Sequence, residues 1–147
     1  MRYLGLDVHS KTTVASLLDA TGTEVRTATI PTTLPALQAL VGQMRLADDL
    51  LVGHEVGGLS HFVHDVVAAT GTRILAFSPH QLRMITASRK KTDRRDAFWI
   101  AKTLQTGMMP HPVHIPTGEI RELRSLLALR RALVAQRKEW LIRAMPT

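Results

Sequence analysis

The order of extended and helical segments constrains this chain more than any other feature. Residues 2–8, Arg-Tyr-Leu-Gly-Leu-Asp-Val, read as a strand buried on both faces. Residues 12–18 read as a second strand, Asp19-Ala20-Thr21-Gly22 as a turn, and residues 24–30 alternate as a third. Connections this short join only antiparallel neighbours, so the three strands form a meander. Pro31 ends the ladder, and Thr33 to Met44 takes helical spacing through Leu34, Leu37, Leu40 and Val41.

Strands and helices alternate after that. Leu50 to His54 is a short apolar strand, broken by Gly57-Gly58. Leu59 to Ala69 is a helix with Phe62, Val66 and Val67 on one side. Gly71 ends it, and Arg73 to Phe77 is the next strand. Pro79 opens a short helical turn, residues 86–92 read as an exposed basic loop, and Asp93 to Thr106 is a helix with Ala97, Ile100, Ala101 and Leu104 inward. A meander followed by β-α-β-α predicts an α/β fold, a mixed sheet flanked by helices.

Residues 1–109 form this domain, 110–117 a Pro/His linker, and 118–147 a helical segment. The helix from Gly118 to about Arg143 spans roughly 39 Å at 1.5 Å per residue. One apolar column repeats every seven residues through Ile120, Leu127, Val134 and Leu141, another through Leu126, Leu133 and Trp140. Such columns predict pairing as a coiled coil, hence a homodimer or higher oligomer.

Charge separates the two halves. Residues 1–78 hold 5 Lys and Arg against 7 Asp and Glu; residues 79–147 hold 14 against 5. A field of one sign over half a small protein favours a polyanionic partner such as nucleic acid. A membrane is the rival, but no stretch approaches the roughly 18 apolar residues of a span, and no segment joins an apolar face to aromatic anchors. The start has no signal-peptide pattern, so a cytoplasmic location is expected. Cysteine is absent, which excludes disulfides and cysteine-held metals.

Four acids occupy special positions. Asp7 lies near the end of an apolar strand, and Glu55 follows another. Asp93 and Asp96 are three apart at a helix start and share a face. Alone, each has an ordinary explanation: a turn former, a surface acid, or complements of a helix dipole. Together they fall where strand ends and a helix start converge. Four anions cannot gather in a partly buried site unaided. Divalent cations with oxygen preference resolve the repulsion, and a pair of them suits in-line phosphoryl displacement. Both explanations stand on the residues alone.

Gly-Leu-Asp-Val-His-Ser-Lys at 5–11, His-Glu-Val-Gly-Gly at 54–58, Ser-Pro at 78–79 and Lys-Thr-Asp-Arg-Arg-Asp-Ala at 91–97 come in a recognisable order. They resemble the N-terminal domain of the DEDD transposases of bacterial insertion sequences, relatives of the Piv-type DNA invertases. The Lys-Thr-Asp-x-x-Asp-Ala string is the most specific element. The resemblance extends to Glu122-Leu123-Arg124-Ser125-Leu126 at the start of the long helix. It implies an RNase H-like fold similar to Holliday-junction resolvases, with Asp7, Glu55, Asp93 and Asp96 holding Mg²⁺, or Mn²⁺ in its place. It also implies DNA recombination guided by a structured RNA. The family usually has Glu-Ala/Pro-Thr/Ser-Gly where this chain has Glu55-Val56-Gly57-Gly58. Its full-length members carry a further C-terminal domain with a nucleophilic serine, so a fragment is expected here, incomplete for strand transfer.

Arg89, Lys90, Lys91, Arg94 and Arg95 are the candidate nucleic-acid contacts, cations beside the acids that would hold a phosphate backbone. His9, two residues after Asp7, falls at the mouth of the same site, as a substrate contact or a bystander. His61, His64, His111 and His114 lack zinc spacing and are read as surface or packing residues. Gly57-Gly58 is read as a turn. Two rival functions remain: a non-catalytic RNA/DNA-binding and dimerisation module, and an actin-like phosphotransferase. The second needs a further glycine-rich nucleotide motif that the sequence lacks.

Overall fold

The structure, a computed structural model, describes residues 1–45, 49–86, 93–109 and 111–144. Strands β1 (Arg2–Val8), β2 (Thr12–Leu18), β3 (Glu24–Pro31), β4 (Leu50–Glu55) and β5 (Arg73–Phe77) form one sheet in the order β3-β2-β1-β4-β5. The meander pairs antiparallel, while β1–β4 and β4–β5 pair parallel. This is the mixed sheet that the order of segments predicts. Helices α1 (Leu34–Arg45), α2 (Ser60–Ala69), α3 (Pro79–Thr86) and α4 (Asp93–Thr106) complete the first of two compact units, Met1–Ile115.

Side-chain alternation along the strands decides which helix covers which face. Leu4, Leu6 and Val52 are fully buried in a cluster with Leu37, Leu40 and Val41 of α1 and Val63, Val66 and Val67 of α2. On the opposite face Tyr3, Leu51 and Leu75 pack with Phe77 and with Ile100 and Leu104 of α4. The inward positions of α4 are those its spacing predicts: Ala97, Ile100, Ala101 and Leu104 are buried.

One expectation needs correction. The short turn at Pro79 is an eight-residue helix. Proline suits a first helical position, because its missing N–H would have no partner there, and buried Leu82 anchors the helix against Phe77. The linker segment after α4 also touches the sheet. The Val113 N–H donates to the Ala76 carbonyl at 2.7 Å, bridging the outer edge of β5.

The second unit, Pro116–Thr147, consists of the 26-residue helix α5 (Gly118–Arg143). It buries none of its residues, and Ile120, Leu127, Val134, Leu141, Leu126, Leu133 and Trp140 are all exposed. No helix among the described residues is long and apolar enough to cross a membrane.

One buried residue couples the fold to pH. His54 of β4 is completely buried, and burial pushes its imidazole down from 6.5 to about 4. Its Nδ1 donates to the Glu55 carbonyl at 3.0 Å, which leaves Nε2 as an unprotonated acceptor with no partner among the described residues. Below pH 6.5 the unfolded chain takes up a proton that the native state refuses, so stability is present above that pH and falls as acid is added. The loss is expected to reach about 3 kcal/mol by pH 4. Denaturant titrations between pH 7 and pH 4 read it, and His54→Leu should flatten the slope.

Candidate metal centre and comparisons with known proteins

The site begins with two glycines on neighbouring strands. Gly5 of β1 lies opposite Gly53 of β4 in the parallel register, and Leu6 lies opposite His54. Asp7 and Glu55 each follow their glycine by two residues, so the two-residue period sends both carboxylates to the α4 face. The glycines admit the helix. A Cβ on Gly5 would lie 2.0 Å from the Ala97 carbonyl oxygen, and one on Gly53 would lie 2.8 Å from Leu104 Cδ1. With α4 seated this close, its first turn, carrying Asp93 and Asp96, arrives at the ends of β1 and β4.

Asp7, Glu55, Asp93 and Asp96 line one cavity of about 370 Å³. His9 lines it too, with Nε2 3.1 Å from Asp7 Oδ2 and 3.7 Å from Asp93 Oδ2. Asp7, Glu55 and Asp96 are partly buried and Asp93 is exposed; the Asp7 side chain is 14% exposed against 65% for Asp93. Burial pushes the Asp7 carboxyl above the ordinary carboxylate range; His9 opposes the rise, while the charges of Asp93 and Asp96 add to it. Asp7 is therefore the acid whose ionised form a nearby cation would help most.

The donors fit a divalent cation. One ligand atom each from Asp7, His9 and Asp93 can be chosen so that all lie within 4.8 Å of one another. Ligands on opposite sides of Mg²⁺ stand roughly 4.2 Å apart, twice the bond length of about 2.1 Å. Oxygen-rich chemistry and spacing thus both suit such an ion.

The basic residues are placed unevenly. Arg89, Lys90 and Lys91 lie outside the described residues. Arg94 and Arg95 are exposed in the first turn of α4. Arg94 Nη2 lies 3.2 Å from Glu24 Oε2, and Ser16 Oγ donates to Glu24 Oε1 at 2.7 Å. Arg94 thereby ties the start of α4 to β3, a role its sequence position did not reveal. At Gly57 the backbone N–H donates to Ser60 Oγ at 2.7 Å, and the Ser60 N–H donates back to the Gly57 carbonyl at 3.1 Å. That reciprocal pair is a turn closing onto α2.

A five-stranded mixed sheet with acids gathered where the central parallel strands end defines an RNase H-like α/β domain. Among solved structures, T. thermophilus RuvC in complex with Holliday junction substrate is similar, with a TM-score of 0.53 at 13% identity, covering 77% of this chain and 99% of that one. At that identity the likeness is one of fold. The chain belongs to the DEDD transposase family: the family model, described as a transposase, matches residues 4–145. No curated protein matches it in sequence.

Proposed function

We propose that residues 1–109 are the catalytic domain of a DNA recombinase that breaks and joins phosphodiester bonds. Asp7, Glu55, Asp93 and Asp96 hold its divalent cations, Mg²⁺ with Mn²⁺ as the alternative. The observation that carries this reading is the convergence of four carboxylates from β1, β4 and α4 on one cavity. Membership of a transposase family and a fold shared with a protein solved on a Holliday junction support it.

Bound divalent cations would stabilise the attacking and leaving oxygens of an in-line displacement. The chain's own contribution is placement. Partly buried Asp7 gives a fixed anchor on the sheet, while Asp93 and Asp96 approach from the first turn of α4. Arg89, Lys90, Lys91, Arg94 and Arg95 hold the phosphate backbone over the acids. DNA as substrate places the work in the cytoplasm, and a structured guide RNA would draw on the same excess of positive charge. Residues 110–117 link this domain to α5, whose exposed apolar columns suit a second copy of the same helix.

Asp93→Asn tests the reading, because it removes a ligand charge, keeps the shape and alters an exposed side chain. Mg²⁺ titration by calorimetry at fixed moderate salt should lose its signal in this variant, with the thermal transition little changed. Metal-dependent cleavage of a branched DNA should disappear with it. An unchanged titration would sink the four-acid assignment. Tight, salt-dependent DNA binding with no metal response would favour a non-catalytic binding module instead.

A further inference from the structure

We infer that His9 is a nitrogen ligand of the same centre and biases it toward later first-row cations over Mg²⁺. The inference rests on the metal reading above and adds a donor that the four acids do not supply. His9 Nε2 sits between carboxylates from two different elements, 3.1 Å from Asp7 Oδ2 on β1 and 3.7 Å from Asp93 Oδ2 on α4. Among the described residues, Asp7, His9 and Asp93 form a group whose ligand atoms all lie within 4.8 Å of one another.

The ring is carried by a backbone that is held in place. The His9 N–H donates to the Thr12 carbonyl at 2.9 Å, and Thr32 Oγ1 donates to the His9 carbonyl at 2.8 Å. Thr13 and Thr32 hydroxyls meet at 2.9 Å beneath that contact. The turn from β1 to β2 and the end of β3 together fix where the imidazole starts. Its side chain is half exposed, so an ion and its waters can reach Nε2.

A neutral imidazole nitrogen on Nε2 changes which ion is preferred. Mg²⁺ favours oxygen and gains little from nitrogen. Mn²⁺ accepts imidazole more readily, and Co²⁺ more readily still. A centre with three or four carboxylates and one imidazole therefore discriminates among ions that a purely carboxylate centre treats more evenly.

Pulsed electron paramagnetic resonance of Mn²⁺ bound to the full chain reads the ligand directly, independent of activity. The wild type should show nitrogen-14 modulation, and His9→Ala should bind Mn²⁺ without it. By calorimetry, His9→Ala should weaken Co²⁺ binding about tenfold or more, while Mg²⁺ binding changes much less. Mn²⁺ bound to the wild type without nitrogen modulation would overturn the inference and leave the carboxylate centre standing, with His9 as a charge partner of Asp7. Modulation that persists in His9→Ala would overturn it equally, since another nitrogen would be the ligand. No Mn²⁺ binding by the wild type would overturn both readings.

Discussion

Asp7→Asn is expected to abolish divalent-cation binding and, in the absence of metal, to leave the fold as stable as the wild type or more so. The two halves of that result have one cause. Asp7 is far more sheltered than Asp93, 14% against 65% exposed, and burial pushes its carboxyl up from the ordinary value. For an acid with a raised pKa, the stabilising contribution is present below the unfolded value and is lost as pH rises through the folded value. At neutral pH the ionised side chain therefore costs stability, and the isosteric amide removes that cost. On the proposed four-acid reading, the same substitution also deletes the anchor of the bound ion. Replacing a partner behind a metal ligand costs about 10–100-fold in affinity, so loss of this ligand should exceed about 100-fold. Thermal melts with and without Mn²⁺ check both halves. The wild type should gain stability from the ion by mass action, and Asp7→Asn should gain none. A variant that is much less stable without metal would mean that Asp7 is structural.

The parts of this fold that were legible in the sequence are those written as period. Alternation and short turns gave three antiparallel strands, and α4 declared its inward face through Ala97, Ile100 and Leu104. Helix α5 declared itself through columns at seven-residue spacing, although what covers them is not written in a single chain. The gathering of the four acids at one cavity was legible because acids ending apolar strands, and paired at a helix start, are rare enough to ask for a reason. The glycines two residues before Asp7 and Glu55 were the missed signal. Glycine within a strand marks a bulge, a bend or a close approach, and sequence alone does not choose among them. The parity of β4 decides the rest: Glu55 faces α4, so its neighbour His54 must enter the opposite layer, where it is buried. The tie that Arg94 makes was not legible for another reason. Its partner Glu24 lies 70 residues away, and only the fold brings the two together.

Gly5→Ala is expected to be the most damaging small substitution in the domain, and it should damage the site as well as the fold. The added Cβ would stand 2.0 Å from the Ala97 carbonyl oxygen and 2.6 Å from the Ala101 nitrogen, where ordinary contact begins at 3.4 Å. Both neighbours are backbone atoms within the hydrogen-bonded ladder of α4, so no rotamer change relieves the clash. The helix must move outward by about 1 Å, and overpacking of this kind costs on the order of 3 kcal/mol. Gly53→Ala makes the contrast, since its nearest neighbour at 2.8 Å is the Leu104 Cδ1 methyl, a side-chain end that can turn, although the Ile100 branch methyl at 3.1 Å is stiffer. Gly57→Ala meets nothing within 4 Å and should stay within about 0.5 kcal/mol of the wild type. Chemical denaturation of the three variants should rank them in that order. Because Asp93 and Asp96 ride on the displaced helix while Asp7 stays on β1, Gly5→Ala should also weaken Mn²⁺ binding under conditions where it is fully folded. Catalytic constellations tolerate only about 0.5 Å of such drift. If folded Gly5→Ala bound Mn²⁺ as the wild type does, the seating of α4 against Gly5 would not be what sets the distance between the acids.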